Sequence, residues 1–380
     1  MSRHSAPLDG VRVVDLTQYV AGPYCTEVLA DLGADVWKVE RPETGDVYRR
    51  QGPLFVEGES ASFLTMNRGK RSIEIDITDS DGRARLHRLL ADADVVVENS
   101  KPGSLARYGL DFAALHALYP RLVYCSISGF GQEGPAAALG GYDLTIQALS
   151  GLMSMTGHAD GPPAKIPVAA LDFGTGLYAV VGILCALRHC EQTGYGEWVQ
   201  TSILECALSW LSMHIVTHRL GGDAPTRRGT RSPFFAPYEA YQTQDGYLVV
   251  VGTGGRDGWG AMCRALGLDA LLDDSRFSTI GDRVEHAVAL QGLIEARMQT
   301  APTEHWVGLL ESAGVPCAPV KSLPEALEWS QVQALGSVAT IRHPVAGDIP
   351  TVRLPLHLSE QSTDSATPPP VLGADNDQVK

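Results

Sequence analysis

Short apolar runs alternate with amphipathic stretches through the first third of the chain. Val11 to Leu16 (VRVVDL) reads as a buried strand. The following AGPYCTEVLADLGAD reads as a helix, with Gly22 and Pro23 at its start and Gly33 at its stop. VWKVERP is then a second strand, ending at Glu40 and Arg41. This is a βαβ unit, and it lacks the G-x-G-x-x-G of a dinucleotide fingerprint. Arg71 to Ile77 alternates like a half-buried strand, and Asp79 or Ser80 can cap a helix running through Leu90. Ala93 to Glu98 and Leu122 to Ile127 are further apolar strand patterns. Strands alternating with helices predict an α/β fold, a Rossmann-like doubly wound parallel sheet with its ligand at the carboxyl ends of the strands.

The rhythm then changes. Gly141 to Gly151 reads as a short helix opened by a glycine turn. In Lys165 to Leu187 an apolar run of strand-like length ends at Asp172, and Gly174 and Gly176 precede an apolar helix pattern. Trp198 to Leu220 reads as one long apolar helix. Arg219 to Pro233 has no hydrophobic period and reads as a linker. YEAYQTQDGYLVVVGTGG predicts a hairpin turning at Asp245-Gly246. Helix patterns at Trp259 to Leu266, Arg283 to Met298 and Thr303 to Ala313, with a strand at Val315 to Val320, complete a smaller α+β domain. A second hairpin pattern starts near Ser337, and the tail from Ser359 reads as extended. The expected organisation is a first part of the large domain at 1–218, a linker at 219–234, the small domain at 235–330, and a return to the large domain at 331–380.

Composition narrows the function classes. The 380 residues carry a formal net charge of −14, which argues against a broad nucleic-acid footprint and leaves any anionic ligand to a few local cations. The seven cysteines show no C-x-x-C pair, and MSRHSAPLDG has no apolar signal core. The expectation is a cytoplasmic protein without a membrane span, since the most apolar stretch, Leu177 to Leu187, is short. His214 and His218 are four apart but lack the Glu of H-E-x-x-H, so no metal is expected. SISGFG around Ser126 and Ser128 is not the G-x-S-x-G of a serine hydrolase.

Three groups of residues remain as candidate chemistry. Arg41, Asn99, Lys101 and Arg107 fall at or after strand ends, where they can hold a phosphate-bearing ligand or stand as solvated surface groups. Asp172 is either an ordinary helix cap or a nucleophilic carboxylate kept ionised by a helix start. Gly252-Thr253-Gly254-Gly255 follows a strand and can present backbone N–H groups to an oxyanion, and Tyr142 can sit over the same ligand as Asp172.

Read together, PLDGVRVVDLT, LADLGADVWKVERP, NRGKRSIEIDI, ADVVVENSKPG, GYDLTIQALSG, the DFGTG segment, ALRHCEQTGYGEWVQTSILE and AGVPCAPV resemble the class III CoA-transferases, whose relatives include the α-methylacyl-CoA racemases. The resemblance covers nearly the whole chain. It implies an interlocked homodimer and an acyl-CoA substrate with no permanently bound cofactor. It also implies a small carboxylic acid partner, with Asp172 as the nucleophile that forms a mixed anhydride and then an enzyme–CoA thioester. By motif position, Val20 and Ala21 line the CoA, Arg41 and Arg107 contact its phosphates, and Ile75, Asn99 and Ser100 hold the nucleotide. Gly252 to Gly255 correspond to a mobile glycine loop. The family's racemases pair the aspartate with a histidine thirty positions earlier, whereas this chain has Tyr142 there. Tyrosine, with a reference pKa of about 10, is a poor neutral base, which favours transfer over epimerisation. A non-catalytic CoA- or nucleotide-binding protein is the alternative of another class. Arg227, Arg228 and Arg231 of the linker are either a solvated loop or a recognition group for a second carboxylate.

Overall fold

A computed structural model describes residues 6–253, 257–361, 363 and 367–379. Contacts divide the chain into two units, Met1–Leu152 with Ile166–Asp223 and Leu335–Lys380, and Met153–Lys165 with Ala224–Ala334.

The first unit is built on six strands, β1 (Arg12–Asp15), β2 (Asp35–Glu40), β3 (Lys70–Glu74), β4 (Val95–Glu98), β5 (Val123–Ser128) and β6 (Trp198–Ser202). All pair in parallel, in the order β3-β2-β1-β4-β5-β6. This is the strand order of a Rossmann sheet, and it reverses direction between β1 and β4. Alternate residues supply two cores. Val13, Val36, Val95, Val97, Cys125 and Ile127 meet α1 (Ala21–Asp31) on one face. Val14, Trp37, Ile73, Val96 and Tyr124 meet α2 (Ser80–Ala91) and α3 (Phe112–Leu118) on the other.

Beyond β5 come α4 (Asp143–Leu149) and α5 (Ala170–Thr193), then β6, α6 (Ile203–Trp210) and α7 (Ser212–Arg219). Two expectations are corrected here. Lys165 to Leu171 is not a strand, because Pro167 interrupts the run and α5 already begins at Ala170. Trp198 to Leu220 is not one helix. Its first residues, alternately exposed and half-buried, extend the sheet as β6, and Ser202 then caps α6 by accepting the N–H of Glu205.

Gly174 and Gly176 lie inside α5, where their lack of a side chain permits close approach. A Cβ at Gly174 would lie 2.2 Å from Trp210 Cζ2, and one at Gly176 would lie 2.7 Å from the Ala21 carbonyl oxygen. Two glycines that resemble a helix start in the sequence therefore serve packing against α6 and α1. The 24 residues of α5 are also long and apolar enough to cross a membrane by length and composition, which corrects the expectation that no such stretch exists. The helix is packed against α1, β5 and β6, with Ala179, Val180, Ile183 and Ala186 in the core.

The last turn of the chain docks on β3. The Ser72 N–H donates to Asp375 Oδ2 at 2.9 Å, and the Glu74 N–H donates to Asn376 Oδ1 at 2.8 Å. A hairpin of Val338–His343 and Gly347–Val352 also belongs to this unit.

The second unit contains an antiparallel sheet of β7 (Tyr238–Gln242), β8 (Tyr247–Val251) and β9 (Cys317–Pro319), with β8 central. Its core gathers Tyr241, Leu248, Val250, Met262, Phe277, Ile294 and Trp306. The helix pattern at Arg283 to Met298 is interrupted near His286, giving Ile280–Glu285 and Ala287–Met298.

Candidate active site

Two adjoining cavities open at the carboxyl ends of β1 and β4, where the sheet order reverses. The outer one, about 330 Å³, is lined by Leu16 to Gln18, Arg41, Ile75, Ser100, Lys101 and Arg107, among others. Arg41, Lys101 and Arg107 have no carboxylate at ion-pair distance among the described residues, and the Arg107 guanidinium lies 4.7 Å from the Tyr108 ring centroid. Unpaired cations around a cavity suit a phosphate-bearing group. Ile75, buried at the end of β3, supplies apolar wall.

The inner cavity, about 240 Å³, shares Ser100 and Lys101 with the outer one and reaches Tyr19, Val20, Ala21, Asn99, Gly141, Tyr142 and Asp172. Val20 and Ala21 stand at the start of α1, and Asp172 lies in the first turn of α5. The start of α1 thus faces the same space as Asp172, an arrangement that favours negative charge developing there.

Asn99 lines this cavity, but its amide is occupied by protein. Its Oδ1 accepts the Gln18 N–H at 3.0 Å, and its Nδ2 donates to the Gln18 carbonyl at 2.6 Å. It therefore splices the β1 and β4 loops across the switch point. The Ser100 N–H donates to Glu98 Oε2 at 2.8 Å.

Asp172 departs from the sequence expectation in its electrostatics. Burial first, and the Asp143 carboxylate second, push its pKa up to about 7. The α5 N-terminus does little to offset this, because two of its first-turn N–H groups are already taken. Asp143 Oδ2 accepts from Leu171 at 2.8 Å and from Asp172 at 3.3 Å. No hydrogen-bond donor reaches the Asp172 carboxylate among the described residues, so its lone pairs are free to attack.

Sequence reasoning did not assign Tyr19, Tyr48 or Asp143 to the site. Tyr19 holds a left-handed backbone at φ 69°, and its ring stands edge-on to Tyr48 at 5.7 Å and to Tyr142 at 5.9 Å. Burial raises the Tyr48 pKa, and Asp172 adds to the shift. Nothing in the local sequence marks Tyr19 for such a backbone. Asp143 carried a signal, its i, i+4 spacing from Gln147 beside Tyr142.

The glycine-loop residues lie in the second unit. Gly252 is buried, and a Cβ there would lie 2.5 Å from Pro237 Cγ, so packing requires a glycine at that position. Thr253 follows it, while Gly254 and Gly255 lie outside the described residues.

A six-stranded parallel sheet with unpaired cations and a free, half-buried carboxylate at its switch point is the arrangement of a Rossmann-type enzyme suited to a phosphate-bearing ligand. Residues 8–376 match CoA-transferase family III, and the chain belongs to that family. It is 40% identical over 386 residues to a succinate–glutarate CoA-transferase of Agrobacterium fabrum, covering 100% of this chain and 96% of the relative. A succinyl-CoA:glutarate CoA-transferase of Mus musculus is 39% identical, with 97% of this chain and 84% of the relative covered. The crystal structure of a CAIB/BAIF family protein from Brucella suis superposes with a TM-score of 0.87 at 38% identity, covering 99% of both chains. The protein is a CoA-transferase acting on acyl-CoA.

Proposed function

We propose that the enzyme moves CoA between an acyl-CoA and a small dicarboxylic acid, with Asp172 as the nucleophile. The observation that carries this reading is the Asp172 carboxylate itself, half-buried in the inner cavity and free of hydrogen bonds. The outer cavity, with Arg41, Lys101 and Arg107, holds the nucleotide phosphates, and the thioester reaches inward past Ser100 and Lys101. Asp172 attacks the thioester carbonyl, the C–S bond breaks, and a mixed anhydride and CoA thiolate result. The thiolate then attacks the aspartyl carbonyl of the anhydride, releasing the donor acid and leaving CoA on Asp172. The acceptor carboxylate attacks that thioester, forming a new anhydride and freeing the thiolate again. Attack of the thiolate on the acceptor acyl carbonyl gives the product and restores Asp172.

The start of α1 stabilises the oxyanions and thiolate that develop in the cavity. Succinate and glutarate are the first acids to test, by analogy with the relatives of Agrobacterium fabrum and Mus musculus. In the Asp172→Ala variant, exchange of labelled succinate or glutarate with succinyl-CoA should fall below about a thousandth of the wild-type rate while CoA binding persists. Survival of exchange above that level rules out the nucleophile assignment.

The chain acts as a homodimer in this reading. Leu177, Val181, Trp210, Met213, Val216 and Leu220 expose a broad apolar surface along α5, α6 and α7, more than scattered surface residues require. Light scattering should give twice the 40.6 kDa chain mass, and a monomer at micromolar concentration rejects the dimer.

A further inference from the structure

The first turn of an α-helix has N–H groups with no partner inside the helix, and the residue before it normally supplies an acceptor. At α5 that residue is Ala169, which has none. The acceptor comes instead from Asp143 on α4, whose Oδ2 takes the N–H groups of both Leu171 and Asp172. The other oxygen, Oδ1, accepts from Gln147 Nε2, and Gln147 Oε1 accepts the Ile166 N–H at 3.0 Å. Gln147 is 1% exposed. One helical turn of α4 therefore grips the segment leading to the nucleophile at Ile166 and again at Leu171 and Asp172.

We infer that Asp143 is a positioning residue for the transfer reaction: it caps the nucleophile's helix from outside and thereby fixes where the Asp172 carboxylate stands. The inference rests on Asp172 being the nucleophile. Asp143 also adds a second effect, because its charge opposes ionisation of Asp172 and keeps that carboxylate basic. The other titratable groups around Asp172 are Tyr48, Cys206 on α6, and the cavity residues Tyr19, Tyr142 and Lys101. Burial raises the pKa of Tyr48, Cys206 and Tyr19, so these three stay neutral near pH 7. Asp143 is then the anion that Asp172 faces, and a basic carboxylate is the stronger nucleophile once ionised.

The test is steady-state kinetics of Asp143→Asn across pH 5 to 9. In the wild type, kcat/KM should rise with pH to a plateau above about 7, because only ionised Asp172 attacks. Asp143→Asn should lower kcat about a hundredfold, the scale of a misplaced reacting group, with KM for acyl-CoA changed less than about threefold. Its acidic limb should also move to lower pH. An unchanged kcat overturns the proposal, as does a joint loss of kcat and CoA affinity with an unmoved limb.

Gln147→Met keeps the Asp143 charge and approximates the side-chain shape, so it separates grip from charge. It should lower kcat about tenfold and leave the limb in place. A wild-type kcat in that variant overturns the positioning role even if Asp143→Asn does not fold. Failure of Asp172→Ala to abolish exchange would instead remove the nucleophile reading, so the two failures are distinguishable.

Discussion

Two acidic clusters lie in the parallel-sheet unit, and they are built in opposite ways. At the end of β1, Asp15 is fully buried and every contact offsets its charge. Lys70 Nζ donates to it at 3.1 Å, Lys38 Nζ stands at 3.9 Å, and the Thr17 and Thr26 hydroxyls donate at 2.6 and 2.7 Å. Burial alone would raise its pKa, but the two lysines and the hydroxyls bring it to about 2. At the start of α5, Asp172 has no cation at ion-pair distance among the described residues, and burial first and the facing Asp143 carboxylate second push its pKa up to about 7. The paired cluster stabilises the fold. Lys38 Nζ also reaches the Thr17 carbonyl and Asp46 Oδ2, both at 2.9 Å, while Asp46 Oδ1 accepts the N–H groups of Tyr19 and Tyr48. One ion network thus holds the cavity's tyrosine wall, including the left-handed Tyr19. The unpaired cluster spends stability on reactivity, as active sites do.

The largest expected effect comes from breaking the paired cluster. Lys38→Met leaves Asp15 and Asp46 buried with one cation fewer, which should cost about 3–5 kcal/mol in urea unfolding. A loss under about 1 kcal/mol would mean that the two clusters do not differ as described.

A smaller effect of opposite sign should follow from Asp172→Asn. The wild-type folded-state pKa lies above the ordinary carboxylate value of 3.8. At pH below 3.8 the group is neutral in both states and contributes nothing. Between 3.8 and 7 the unfolded chain ionises while the folded one does not, so the penalty grows, and it is complete above 7. Asp172→Asn should therefore be more stable than wild type by about 1 kcal/mol at pH 8, with the gain fading as pH falls toward 4. A variant equally stable or less stable at pH 8 would show that Asp172 is not strained by its surroundings.

Much of the fold was legible from local pattern. The strands from Val11 to Ile127 and the hairpin at Asp245-Gly246 follow apolar periodicity and turn chemistry, which neighbours in sequence dictate. The misreadings fell where one element runs into the next without a turn signal. Trp198 to Ser202 has no Gly or Pro between it and the apolar helix that follows, and it becomes a strand because β5 lies open beside it.

The site divides in the same way. Residues at strand ends, such as Arg41, Asn99, Ser100 and Arg107, could be placed from the alternation of elements, since the carboxyl edge of a parallel sheet is where such loops meet. Motif order singled out Asp172. The sequence by itself determined the α/β architecture, the family and the candidate nucleophile. Only the tertiary structure decided that Asp143 would take the helix N–H groups, that Asn99 would splice two loops, and that Tyr19 would turn toward Tyr142. Those outcomes depend on which distant groups compete for the same donors and space, and that competition exists only after the chain has folded.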